Sequence, residues 1–120
     1  MKKNKKNEPD KNFLEFIPVR DESLTWKKDR KGTIMLVIEN TGFFNRLAQK
    51  VFLKPEYSYI HLDELGSFVW PLIDGKTNII ELGKLVKEEF GEKAEPLYPR
   101  LAKYFQILES YNFITLNRDI

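Results

Sequence analysis

The chain has no cysteine, a single histidine and no long hydrophobic run. Without cysteine there is no disulfide and no thiolate nucleophile, a composition that fits a reducing cytoplasm. A zinc site needs three or four ligands, usually His or Cys, held close together, and His61 alone cannot supply them. No stretch of about 18 apolar residues is present to span a membrane. The N-terminus is basic but is not followed by the apolar stretch of a signal peptide, so the expected location is cytoplasmic. The six glycines are scattered and form neither a phosphate loop nor a dinucleotide fingerprint.

Catalytic constellations are missing too. Ser58, Ser67 and Ser110 lack the flanking glycines of a nucleophile elbow. Asp63-Glu64 and Glu88-Glu89 are adjacent pairs whose side chains point in different directions. General acid–base catalysis needs two carboxylates in different environments across a cleft. The expectation is a binding domain that is not an enzyme and holds no cofactor.

What is present is the composition of a globular domain: 120 residues, 42% hydrophobic and 32% charged, with nine Phe, five Tyr and two Trp. Net charge is +2. Residues 1–30 carry nine basic and six acidic side chains, whereas residues 61–113 carry six basic and nine acidic ones. Residues 1–12 have no large apolar side chain after Met1 and read as a disordered, solubilising tail. Residues 13–120 then form a single domain, beginning with an extended lead-in over 13–26 that tucks Phe16, Ile17, Val19, Leu24 and Trp26 against the body.

Residues 33–39 alternate as a strand. Asn40-Thr41-Gly42 supplies turn chemistry, 47–53 a returning strand, and Pro55 a break before a third strand at 57–62. Together they predict an antiparallel meander. From Leu62 the period changes to about 3.6. Asp63 is the expected cap of a first helix with Leu65, Phe68, Val69 and Leu72 on one face. Pro71 either kinks that helix or distorts its last turn, and Asp74-Gly75 ends it. Asn78 and Glu81 have capping-box spacing for a second helix, with Ile79, Leu82, Leu85, Val86 and Phe90 as its stripe. Gly91 closes it. A third helix starts near Pro96 and places Leu97, Leu101, Tyr104, Phe105, Leu108 and Tyr111 at helical spacing. Phe113–Leu116 either adds a short strand or packs the C-terminus down. The expected fold is α+β: a three-stranded antiparallel sheet followed by three helices, winged helix-turn-helix-like.

The block Leu62-Asp63-Glu64-Leu65-Gly66, then Val69-Trp70, Leu72-Ile73-Asp74-Gly75, Asn78 to Phe90, and Leu101 through Phe113-Ile114 resembles the pyrroloquinoline quinone synthesis protein D group, the PqqD-like proteins. The resemblance covers roughly half the chain. Asn78 stands where the family usually has Thr, Pro71 is unusual inside the first helix, and the N-terminal extension is longer and more basic than in a minimal member. The resemblance implies a winged-helix recognition element that binds the leader of a ribosomally made precursor peptide. It then hands the peptide to a modifying enzyme, often a radical SAM maturase. Pyrroloquinoline quinone itself is not implied, because the family serves many peptides.

In that mode the leader adds to the edge of the third strand and lies against the third helix. The resemblance therefore points to Tyr57, Ser58, Tyr59, Ile60 and His61, and to Leu101, Tyr104, Phe105 and Leu108. With Ile60 and Leu62 facing the core, Tyr59 and His61 would face away. The periodicity leaves open which helix residues line the groove. An open strand edge could also pair with a second copy of the chain, so the oligomeric state stays open.

The rival reading is a winged-helix DNA-binding transcriptional regulator. Its recognition helix should be basic. Arg100 and Lys103 are set against Glu95 and Glu109 there, so no nucleic-acid partner is expected. A bare assembly domain, the third reading, would bind no peptide at all.

Overall fold

The computed structural model describes residues 11–39 and 57–118. The expectations for residues 1–10, the 40–42 turn, the 47–53 strand and Pro55 lie outside them. Contacts divide the chain into two compact units, Glu22–Ser67 and the combination of Met1–Asp21 with Phe68–Ile120.

In the first unit, the alternating run predicted at 33–39 forms β3 (Ile34–Glu39), the middle of a three-stranded sheet. Its neighbours are β2 (Thr25–Lys28) and β4 (Tyr57–His61), both antiparallel. The three strands are not the expected three: β2 comes from the segment read as an extended lead-in, and the strands at 34–39 and 57–61 pair directly rather than through 47–53 as the meander required. The even-numbered face holds Ile34 and Leu36, both fully buried. The odd-numbered face carries Thr25, Lys27, Tyr59 and His61, all exposed, and half-buried Met35 and Val37. Asp63 caps α2 (Glu64–Val69), its Oδ1 accepting from the Gly66 N–H at 2.7 Å.

Buried Ser67 closes the end of the ladder. Its Oγ accepts from the Ile34 N–H at 2.9 Å and donates to the Leu62 carbonyl at 3.2 Å. The hydroxyl thus stands between a donor and an acceptor that would otherwise pair directly. The serine weighed as a nucleophile is a backbone bridge.

In the second unit, α1 (Lys11–Glu15) starts in the last two residues of the segment read as a disordered tail and makes the start of the lead-in helical rather than extended; β1 (Ile17–Arg20) follows. The closing segment is a strand, β5 (Ile114–Asn117), antiparallel to β1 with Pro18 opposite Leu116. Pro71 acts as predicted on the last turn: α2 gives way to a 3-10 turn over Trp70–Leu72. Asn78 caps α3 (Ile79–Phe90), its side chain accepting from the Glu81 N–H at 2.9 Å. The carbonyl of Phe16 accepts from the N–H of Ile79 at 3.2 Å, tying the lead-in to the same helix start. Gly91 ends α3 at φ +59° and opens a 3-10 turn, Gly91–Ala94. α4 (Leu97–Ser110) follows, with Pro96 in the N-cap position and no side-chain capping bond from it. The core gathers Val69, Trp70, Ile73, Ile79, Leu82, Val86, Leu101, Phe105 and Ile114, each at most 1% exposed.

The described residues thus make an α+β protein with antiparallel sheets and four α-helices rather than three. The extra helix, α1, precedes the strands. Leu85 also departs from its expected stripe, because it is 39% exposed while Gly83 is buried beneath Tyr98.

Candidate functional site

The backbone of β4 has one side given to β3 and one to no described strand. Its polarity follows from a single hydrogen bond. The Leu62 N–H donates to the Ile34 carbonyl at 2.9 Å, which makes residues 34 and 62 a hydrogen-bonded pair. Such pairs alternate along an antiparallel ladder. Register then directs Ser58 and Ile60 toward Ile38 and Leu36. The N–H and C=O groups of Tyr57, Tyr59 and His61 point to the free side. The other half of the sheet agrees: the Asp29 N–H donates to the Thr33 carbonyl, which assigns odd residues of β3 to β2.

Side chains follow the same alternation. Tyr57, Tyr59 and His61 are exposed on the open face, Tyr59 at 55%. Ile60 meets the condition set for it only in part. It shares the face of Leu36, yet it keeps 36% of its surface exposed at the sheet margin. Ser58 is half-buried. No residue of β4 carries a Lys, Arg, Asp or Glu. On the opposite margin β2 reads TWKK, two of its four residues being lysine. Lysines on an edge strand discourage pairing with another chain. The two margins therefore differ chemically: lysines on β2, none on β4.

The four helix residues drawn from the resemblance lie on α4, in the second unit. Leu101 and Phe105 are fully buried, Leu108 is nearly so, and Tyr104 is half-buried with its ring edge-on to Phe105 at 5.0 Å. The large apolar side chains that α4 and its cap turn to solvent are Ile107, 46% exposed, and Tyr111, 63% exposed and stacked on Phe113. With Tyr104 they form a stripe spaced three and four residues apart. Sequence periodicity could not separate this stripe from the buried one one step round the helix, because both are apolar.

Part of the charge on α3, α4 and the turn between them is paired locally. The Lys87 ammonium and Glu95 carboxylate pair across the turn between the helices. That bond holds the lysine above its ordinary pKa and the carboxylate below its own. Arg100 donates to the Lys93 carbonyl at 2.8 Å in the same turn. An open depression beside the start of α3 is lined by Glu15, Lys76, Glu81, Lys84 and Glu88 among others, with Lys84 paired to Glu81 at 3.1 Å. Among the described residues no three His, Asp or Glu side chains come together as metal ligands would. No helix among them is long and apolar enough to cross a membrane.

A three-stranded sheet with one margin that no described strand pairs, in a chain whose other unit is mainly helical, defines an α+β protein whose chemistry at that margin is backbone hydrogen bonding. Residues 49–114 match the family described as coenzyme PQQ synthesis protein D (PqqD), and the chain belongs to that family. Its members are non-catalytic, peptide-binding accessory proteins of peptide-derived cofactor synthesis. Comparisons with curated proteins and with solved structures each returned no match.

Proposed function

We propose that the chain is a peptide adaptor. It takes the leader of a ribosomally made precursor peptide as a fourth strand on the free side of β4 and presents it to a modifying enzyme, a radical SAM maturase being the partner the family suggests. The observation that carries this reading is the outward set of backbone groups at Tyr57, Tyr59 and His61, with no described strand claiming them. Main-chain pairing supplies affinity in this mode, and alternate side chains supply specificity. Tyr59 offers an aromatic surface to the leader residue beside it, a cross-strand contact worth about 0.2–1 kcal/mol.

The adaptor needs no reactive group of its own, because the bond-making steps belong to the enzyme that receives the peptide. We read residues 13–120 as one functional, winged-helix-like recognition domain working in the cytoplasm.

The test is titration of the isotope-labelled full chain with the leader of a precursor peptide encoded beside it. Amides of Tyr57, Tyr59 and His61 should shift most within β4 and gain protection from exchange. Ser58 and Ile60, already bonded to β3, should change less. Saturable binding that leaves residues 57–61 unperturbed would refute the site.

A further inference from the structure

The hairpin joining β2 to β3 concentrates positive charge at the margin farthest from β4. Residues 25–34, TWKKDRKGTI, hold four cations and one carboxylate. Lys27, Lys28, Arg30 and Lys31 are all exposed. The ion pairs among the described residues, Lys84–Glu81, Lys87–Glu95 and Arg118–Glu109, use none of the four.

The lone carboxylate is directed inward to the turn. Asp29 Oδ1 accepts from the N–H groups of Lys31 and Thr33, both at 2.9 Å. The Asp29 N–H donates to the Thr33 carbonyl at 3.0 Å, and the Gly32 N–H to the Asp29 carbonyl at 3.1 Å. Gly32 sits at φ +90°, a conformation that a side chain would strain. Four hydrogen bonds thus fix a five-residue loop. A loop ordered in advance loses little freedom on binding.

Edge protection accounts for Lys27 and Lys28, which sit on the strand itself. It does not account for Arg30 and Lys31, which lie in the loop beyond the paired residues. We propose that this hairpin is a second docking surface, and that its partner is an acidic patch on a protein. A nucleic-acid duplex is the poorer fit. Four cations on a short hairpin neutralise few phosphates, and the chain's net charge is only +2. β2 and β4 lie on opposite sides of β3. At about 4.8 Å per strand, a ligand on the free side of β4 lies roughly 14 Å from β2 and leaves the hairpin open. The proposal does not depend on peptide addition at β4, since its readout lies on other residues.

The test uses the isotope-labelled full chain, a ten-residue polyglutamate peptide as the acidic probe and a 20-base-pair DNA duplex as the rival polyanion, at about 50 mM salt. Polyglutamate should shift the amides of Trp26 to Thr33. The charge-reversed variant K27E/K28E/R30E/K31E should lose at least about tenfold in affinity while its β3 and β4 amide spectrum is retained. The single variant Arg30→Glu, placed in the loop where the sheet is untouched, should lose a smaller part of the same affinity. Shifts confined to other lysine-bearing segments, equal affinity in the charge variants, or tighter binding of the duplex than of polyglutamate would each overturn the proposal.

Discussion

Gly83 lies where α3 is pressed against Tyr98 of α4, and replacing it with alanine sets two known effects against each other. A Cβ built at Gly83 would stand 2.5 Å from Tyr98 Cε1 and 2.9 Å from both Cζ and the phenol oxygen. Carbon atoms in contact prefer about 3.5–4.0 Å, so the ring must move by roughly 1 Å. It is not free to do so at no cost, because the Tyr98 hydroxyl donates to the Ile80 carbonyl at 3.1 Å. The same burial pushes the phenol pKa up. Alanine in a helix interior is favoured over glycine by about 1 kcal/mol. Overpacking costs about 1–3 kcal/mol, and losing the hydrogen bond about 1 more. Gly83→Ala should therefore destabilise the protein by about 2 kcal/mol. In a Tyr98→Ala background both penalties vanish and the same substitution should stabilise by about 1 kcal/mol. The change of sign is the diagnostic, with a coupling of about 3 kcal/mol. Urea unfolding read on α3 and α4 amide signals measures all four proteins. A Gly83→Ala effect of the same sign and size in both backgrounds would refute the close-approach argument.

Three other outcomes follow from the hydrogen bonds described. Ser67→Ala leaves the buried Ile34 N–H and the Leu62 carbonyl without their bridge, and should cost about 1–3 kcal/mol in urea unfolding with faster exchange at Ile34; a change below about 0.5 kcal/mol would refute the bridging role. Tyr59→Pro removes an N–H that faces away from β3, so the β3–β4 ladder should survive while leader affinity falls at least about tenfold; Ile60→Pro, whose N–H is committed to β3, should disrupt the strand itself, and equal effects of the two prolines would contradict the assigned polarity. Asp74 accepts from the N–H groups of Lys76 and Thr77, which hold its carboxyl below the ordinary carboxylate range, Lys76 being the larger cause. Because the folded pKa is depressed, its contribution is present above the unfolded value and fades as pH falls through the folded one. Asp74→Asn should flatten the acid limb of a pH–stability profile below about pH 4, modestly, since the group is exposed.

What the sequence disclosed of the fold was mostly local. The caps at Asp63 and Asn78, the glycine stop at Gly91 and the distortion at Pro71 each depend on residues a few positions apart, and all were readable in order. β1 and β2 were not. β1 is four residues long and contains Pro18, and its partner β5 lies nearly the whole described chain away. β2 reads TWKK, with only Trp26 even half-buried, so it carries little alternation of its own. Such strands exist because a neighbour offers a register, which no window along the chain contains. Leu85 fails for a related reason. An apolar stripe fixes a helix face only to within about one residue, and the close approach at Gly83 decided which side of the stripe turned inward.

The candidate site was less legible than the fold, and the reason lies in what it is made of. The residues that carry the family resemblance, Asp63, Trp70, Asp74, Asn78 and Leu101 among them, are caps and core, so they report how the chain folds. The margin of β4 is made of main-chain groups that every sequence possesses. Its availability depends on which neighbour is absent, and its direction on whether odd or even residues face β3. A single hydrogen bond, Leu62 to Ile34, decides that. Shifting the register by one residue would present Ser58 and Ile60 to the peptide instead of Tyr57, Tyr59 and His61, with no change in composition. Residue type therefore marks the charged margin at β2, where lysines write their message in side chains. Geometry alone marks the opposite one.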